Sequence, residues 1–329
     1  MFRRLLLAPV LTGLLSGQAG ADDHFYTINT TTPLGPDILV RVNIDEPGVQ
    51  VVGPLGIDVL LTGMAFNPVP VQGPDGATYP AGTLWAYDGQ GGDLFTVDLD
   101  TGAAKLFGQI PGGGVTDYGL TFDLHGNLYT AFGNKVQLID LGTLTTTTVG
   151  TLPFSDLDEW DVLEVDQEIA GIGEVPAGTF IANVGGDALD NLWLVDPSDW
   201  SGLNLGELKT TELNWTVATG AGGAIYSSGS PALNRTINRL FLDPLSAAFI
   251  IDSQQLSIYG GDVITVPPAD CPADLAPPGG DGVIDVLEVL RVLAAWGAPG
   301  GIEDLNDDGI VDTLDLLVVL TAWGSCDGG

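Results

Sequence analysis

Gly82-Thr-Leu-Trp85-Ala-Tyr-Asp88, followed by Leu94-Phe-Thr-Val-Asp98-Leu-Asp-Thr101, recurs as Gly126-Asn-Leu-Tyr129-Thr-Ala-Phe132, followed by Val136-Gln-Leu-Ile-Asp140-Leu-Gly-Thr143. Both units continue into a β-rich segment that ends on a glycine, Gly108 or Gly150. Both are preceded by a similar short segment, Gly63-Met-Ala-Phe66-Asn67 or Gly119-Leu-Thr-Phe122-Asp123. Fainter echoes are Leu39-Val-Arg-Val-Asn-Ile-Asp45, Leu192-Trp-Leu-Val-Asp196 and Phe249-Ile-Ile-Asp252. Alternating apolar residues broken by Gly, Asp, Asn and Pro, with no long 3.6-residue period, read as short β-strands joined by turns.

A period of about 42 to 56 residues with several strands per unit fits the blades of a β-propeller. The expected equivalent strands are Leu94–Asp98, Val136–Asp140 and Leu192–Asp196, each closing on an aspartate that turns the chain into the next, outer strand. The pattern resembles secreted bacterial propeller repeat proteins, and at this period residues 22–265 make five or six blades. A two-sheet sandwich is the alternative, because the repeats are ragged between residues 155 and 235.

The end of the chain has a different grammar. Gly282-Val-Ile-Asp285-Val-Leu-Glu288 through Trp296-Gly297 is repeated as Gly309-Ile-Val-Asp312-Thr-Leu-Asp315 through Trp323-Gly324, at an offset of 27 residues. In the second copy Asp304, Asn306, Asp308, Asp312 and Asp315 occupy positions 1, 3, 5, 9 and 12 of a calcium loop. Gly309 stands at the sharp turn, and Ile310 at the position that offers its carbonyl. Oxygen donors alone select Ca²⁺ over zinc or copper. The first copy is less regular. Asp281, Val283, Asp285 and Glu288 match, but Asp274 is separated from Asp281 by three extra residues, so it reaches an ion only if residues 276–280 bulge outward.

Neither loop is preceded by a helix, since Pro and Gly dominate the entering segments. Loop-then-helix, twice, resembles a type I dockerin, and Trp323-Gly324-Ser325-Cys326 resembles the Gly-Cys-terminated variant of secreted bacterial proteins. The resemblance covers residues 271–326. It implies two calcium ions and a cohesin-like or cell-surface protein as partner. The positions dockerins use for cohesin are Val286, Leu287, Thr313 and Leu314 here, which is not a polar recognition pair. Cys271 and Cys326 bracket the module as the chain's two cysteines, and a disulfide between them is expected. Residues 266–270, with two prolines, read as a stiff linker, and residues 327–329 as a tail. The apolar residues on the two helices exceed what a helix pair hides, so an exposed apolar patch is expected.

At the start, Arg3 and Arg4 precede the apolar run Leu5 to Leu15 and then Ala19-Gly20-Ala21. This reads as a cleaved signal peptide over residues 1–21 and places the chain outside the cell or on its surface. No stretch reaches the roughly 20 apolar residues of a membrane span. The chain carries 43 acidic and 9 basic residues, a net charge of −34. Such a field repels nucleic acid and anionic lipid.

Catalytic signals are thin. His24 and His125 are the two histidines, and His125 reads as a turn residue. No nucleophile elbow or phosphate loop is present. The acidic run Asp156, Asp158, Glu159, Asp161, Glu164, Asp166, Glu168 and Glu174, around Trp160, reads as a solvated connection, with a cation site or a sugar platform as the alternative. Trp85, Trp193, Trp200 and Trp215 read as packing between blades. Two functions stay open. One is a secreted calcium-binding protein with a carbohydrate- or protein-binding propeller. The other is a dockerin-borne hydrolase or lyase of polysaccharides, which requires carboxylates about 5 to 10 Å apart in a cleft.

Overall fold

The computed structural model describes residues 22–29, 37–44, 48–57, 59, 61–110, 118–155, 157–169, 171–185, 190–208, 214–220, 223–229, 236–242, 245–252, 258–266, 273–275, 283–284, 286–306 and 308–325. The expected signal peptide, Cys271, Asp281, Asp285, Cys326 and the tail lie outside them.

Five four-stranded antiparallel sheets form a ring. The first blade holds β1 (Asp22–Asn29), β2 (Ile38–Asn43) and β3 (Gly48–Pro54). The second begins with β4 (Leu61–Phe66), passes through a small hairpin of β5 (Val71–Gln72) and β6 (Thr78–Tyr79), and continues as β7 (Leu84–Asp88), β8 (Asp93–Val97) and β9 (Ala104–Gln109). The third is β10 (Tyr118–Phe122), β11 (Leu128–Phe132), β12 (Lys135–Asp140) and β13 (Thr145–Thr151). The fourth starts at β14 (Leu157–Val162), inserts the hairpin β15 (Gln167–Ile169) and β16 (Gly173–Val175), and resumes as β17 (Phe180–Val184), β18 (Asn191–Val195) and β19 (Gly202–Glu207). The fifth is β20 (Asn214–Thr219), β21 (Ile225–Gly229), β22 (Thr236–Leu242) and β23 (Leu245–Asp252). The last strand of the ring, β24 (Ile258–Val266), pairs with β1 and becomes the innermost strand of the first blade. One blade is therefore built from both ends of the ring-forming segment.

Five blades thus replace the alternative of a sandwich. The three strands expected to be equivalent are β8, β12 and β18, each third from the axis in its own sheet. The aspartates behave as their spacing predicts. Asp98 Oδ1 accepts the N–H groups of Asp100 and Thr101 and the Thr101 hydroxyl, and Asp140 Oδ1 accepts those of Gly142 and Thr143. A carboxylate that caps its own turn fixes where the strand stops.

The apolar interior is divided into wedges, one at each blade interface. Trp85, Tyr87 and Leu94 of the second blade pack on Leu120, Phe122 and Leu128 of the third, and Ala131 and Val136 of the third pack on Trp160 and Phe180 of the fourth. Equivalent clusters fill the remaining three interfaces. Trp85 is fully buried, as expected of a tryptophan that packs between blades, and Trp160, expected in a solvated connection, is buried too. Trp193 and Trp200 are half-buried against Phe154 and Phe180. Trp215 lies on β20, and its side chain is outside the described residues.

The glycine that ends each repeat has a steric role. A Cβ at Gly108 would stand 2.2 Å from Leu144, and one at Gly150 would stand 2.2 Å from the Trp200 ring. Leu144 and Trp200 are the non-glycine residues with positive φ, 56° and 61°, among the described residues, and each sits in the turn of the following blade. Each outer strand also bulges beside that glycine, as the register shifts opposite Leu94 and Val136 show. The missing side chain therefore seats the neighbouring blade's turn.

β24 runs through Val266, which pairs with Asp22, so the ring reaches one residue into the expected linker. Beyond it, α1 (Val286–Ala294) and α2 (Thr313–Thr321) follow the two loops, and β25 (Val283–Ile284) pairs with β26 (Gly324–Ser325). Both helices stop two residues before the tryptophan expected to end them. A small core of Ala273, Leu275, Ile284, Val292, Val311 and Val319 holds this module together.

Candidate functional site

Of the acidic run around Trp160, expected to be a solvated connection, Asp158, Glu159 and Asp161 lie instead on β14, the innermost strand of the fourth blade, and Glu164 at its exit. Asp166, Glu168 and Glu174 are exposed as expected, and Asp156 lies outside the described residues. The dense charge misleads because β14 points its carboxylates at neighbouring strands, where backbone N–H groups replace water. Glu159, Trp160 and Asp161 are all buried. Glu159 Oε1 accepts the N–H of Leu120 on β10 at 3.0 Å. Asp161 Oδ1 accepts the Thr121 hydroxyl on β10 (3.0 Å) and the Val162 N–H (2.8 Å). Asp161 Oδ2 accepts the Thr219 N–H (2.6 Å) and hydroxyl (2.9 Å) on β20. One carboxylate thereby ties three innermost strands.

Asp262 on β24 makes the same pair of backbone contacts at another blade interface. Its Oδ1 accepts the adjacent Val263 N–H (2.7 Å), and its Oδ2 accepts the Phe66 N–H on β4 (2.6 Å). Asp23 is also buried and accepts the Tyr226 hydroxyl. Gly119, at φ +81°, makes room for this arrangement, since a Cβ there would lie 2.9 Å from the Trp160 ring and 3.2 Å from Glu159 Oε1.

Burial pushes the carboxyls of Glu159, Asp262 and Glu164 well above the ordinary carboxylate range, and their mutual charges, with that of Asp161, add to the effect. Asp161 is pushed up by burial to about 6, held back by its hydrogen bonds to Thr219, Val162 and Thr121. The Oε2 atoms of Glu159 and Glu164 are buried without a hydrogen-bond partner, as is the indole N–H of Trp160. Arg291 of α1 lies close enough to Glu164 to favour its charged form.

At the mouth of the ring, where the innermost strands end, lies a cavity of about 280 Å³. Pro68, Val69, Pro70 and Leu124 come from loops that follow β4 and β10, Glu164 follows β14, and Arg291 and Ala294 come from α1. The terminal module thus reaches the propeller mouth. Arg291 is held there by Glu303 Oε1 (3.0 Å) and the Leu275 carbonyl.

In the second loop, Asp304 Oδ1 accepts the N–H of Asp308 (3.1 Å) and Oδ2 that of Gly309 (2.9 Å). Asn306 Oδ1 accepts the Asp308 N–H (3.0 Å), and Asp308 Oδ1 accepts that of Ile310 (3.1 Å). Asp315 is buried on the first turn of α2 and accepts from Leu305 (2.7 Å), Asn306 (3.2 Å) and Asp312 (2.7 Å). Asp312 caps α2 by accepting the Leu314 N–H at 2.7 Å. Gly309 has φ +91°, which only glycine adopts freely. The donors are all oxygen and the loop turns back on itself, so the residues suit a hard cation. No three His, Cys, Asp or Glu side chains of the described residues converge as a metal-ligating group. In the first loop, Asp274 and Glu288 are buried, and Val283 lies on β25.

His125 occupies the turn expected of it, where its N–H donates to Asp123 Oδ1 (2.9 Å). His24 lies on β1. No helix of the described residues is long and apolar enough to cross a membrane.

No family model matches the chain, and no curated protein matches its sequence. Among solved structures, it is similar to a chain of a nidogen/laminin complex at 9% identity and a TM-score of 0.46, over 73% of this chain and 98% of that one. TolB of Acinetobacter baumannii matches at 12% identity and a TM-score of 0.42, over 74% and 66%. Hydrazine synthase of Kuenenia stuttgartiensis matches at 14% identity and a TM-score of 0.35, over 60% of this chain and about half, 51%, of that one. The assignment of the fold rests on the five sheets themselves.

Proposed function

We propose that this chain is a secreted, calcium-binding protein whose propeller binds a carbohydrate or protein and whose dockerin-like terminal module docks it to a cohesin-like or cell-surface partner. The observation that carries this reading is the apolar face of the module. Val286, Leu287, Leu290 and Leu293 of α1, and Leu314, Leu317 and Leu320 of α2, with Trp296 and Trp323, are all exposed. Contiguous apolar surface of this kind marks a binding face. Calcium in the second loop, with Asp304, Asn306, Asp308, Ile310, Asp312 and Asp315 as its donors, would convert ion binding into folding of that face. In the first loop Asp274, Asp281, Val283, Asp285 and Glu288 would play this part, and a Cys271–Cys326 disulfide would close the module.

The hydrolase reading draws less support from the axis. Asp161 and Asp262 have their oxygens committed to strand N–H groups, and both lie inside the ring. A general acid and its partner need open access to a glycosidic bond. The test is a glycan array paired with a panel of polysaccharide hydrolysis assays on the full chain in calcium. Retention of a glycan without product supports the binding reading. Release of sugar would replace it with the hydrolase.

A further inference from the structure

We propose that the cavity between the propeller mouth and α1 binds a free α-amino acid with an aliphatic side chain. Its ammonium would meet Glu164, its carboxylate Arg291, and its side chain the proline-rich wall. This site is separate from the carbohydrate- or protein-binding reading of the propeller and from the calcium loops. At about 280 Å³ the cavity stands at the lower edge of the sizes that small-ligand pockets occupy, about 300 to 1,000 Å³.

Two opposite charges share the cavity without joining each other. Glu164 and Arg291 both line it, yet among the described residues they form no ion pair. Glu164 Oε2 has no hydrogen-bond partner, and no Lys or Arg of the described residues pairs with either oxygen. A carboxylate so placed is costly until a positive donor compensates it. Arg291 is different, because it is already fixed. Its Nε donates to Glu303 Oε1 at 3.0 Å and its Nη1 to the Leu275 carbonyl, which leaves Nη2 outside those two bonds. A guanidinium held in one orientation suits a carboxylate.

The rest of the lining is aliphatic: Pro68, Val69 and Pro70 after β4, Leu124 after β10, and Ala294 on α1. Charge then selects the ligand. A simple amine satisfies Glu164 but sets a second positive charge beside Arg291. A simple carboxylic acid satisfies Arg291 and is repelled by Glu164. A neutral apolar molecule leaves Glu164 uncompensated, and a sugar finds no aromatic ring in this lining. A zwitterion with an aliphatic side chain meets the acid, the base and the wall together.

The walls come from both the ring and α1, so the site is complete only when the module is seated. A second contact seats it. A Cβ at Gly301, where φ is +109°, would stand 2.9 Å from Pro80 Cβ, so the loop before Glu303 lies against the second blade.

Isothermal titration calorimetry of the full-length chain in millimolar calcium, with L-valine, L-leucine and L-isoleucine as probes, decides the matter. At least one is expected to bind. The amine and the carboxylic acid of the same carbon skeleton should each bind at least tenfold more weakly. Glu164→Gln should weaken the amino acid by at least tenfold as well. The proposal is overturned if none of the three binds, if either analogue binds as tightly as its amino acid, or if Glu164→Gln binds like the parent. If Glu164→Gln does not fold, Ala294→Phe decides, because it changes an exposed position of α1 and fills the cavity. Loss of binding in that variant supports the site, and undiminished binding overturns it.

Discussion

Asp161 and Thr219 face each other across the fourth and fifth blades, and one carboxylate oxygen takes both the N–H (2.6 Å) and the hydroxyl (2.9 Å) of the threonine. The interaction is buried, so neither donor has water as a substitute. Asp161→Ala strands the backbone N–H groups of Thr219 and Val162, while the Thr219 and Thr121 hydroxyls keep the Val162 and Phe122 carbonyls as acceptors. It should cost about 3 kcal/mol or more of stability. Urea denaturation followed by tryptophan fluorescence measures this, and a loss under 1 kcal/mol would show that the blades do not depend on the carboxylate.

The axial carboxyls give this protein an inverted response to acid. Glu159, Asp262 and Glu164 are raised, and Asp161 stands at about 6. Between the unfolded carboxylate range and these raised values, the folded state holds more protons than the unfolded state. Stability therefore rises as pH falls from 7.5 toward 5, and is lost again as pH climbs through the folded values. In chelator the melting temperature should be several degrees higher at pH 5.5 than at pH 7.5. The slope should shrink in Glu159→Gln, which separates the axis from relief of surface repulsion. A melting temperature that falls over this range contradicts the arrangement.

Gly150→Ala should destabilise by about 2 kcal/mol, because its Cβ meets the Trp200 ring at 2.2 Å. Trimming the obstacle should restore part of the loss. The double variant with Trp200→Ala is then less unstable than the sum of its single changes. Additive losses in this cycle would mean that the glycine does not seat the neighbouring turn.

Calcium should protect the terminal module. In the full chain, limited proteolysis in chelator is expected to cut beyond residue 270, while millimolar calcium suppresses those cuts. Asp308→Ala with Asp312→Ala should leave the module sensitive in both conditions. Equal protection with and without calcium would remove the ion from the module's folding.

Much of this architecture was legible in the repeats around Trp85 and Tyr129, because a blade's turns leave local marks. Asp98 and Asp140 cap turns within three residues, and Gly108 and Gly150 sit at fixed places beside a bulge. The repeat period narrowed the blade count to five or six, and the choice of five was not legible, since the first blade takes β24 from more than 200 residues away. The axial carboxylates were hidden for a related reason. A run such as Asp158-Glu159-Trp160-Asp161 carries the composition of a solvated loop, and the donors that permit its burial are mainly backbone groups of β10 and β20, Leu120 and Thr219, with the Thr121 hydroxyl. Backbone donors leave no trace in a sequence. The one advance sign was Trp160, a large apolar ring set between acids, which marks a segment with a buried side.

The ring closes by pairing β24 with β1, and this makes chain length itself a condition of folding. A ribosome that has released only the first 250 residues holds an open arc, with the inner edge of β1 bare and the seam beside β4 unfilled. Strand edges of that kind invite pairing with other chains. The native state exists only once residue 266 is free to return to Asp22. Premature termination therefore yields no smaller propeller, only a species fit for degradation, and the closing strand acts as a check that synthesis was finished.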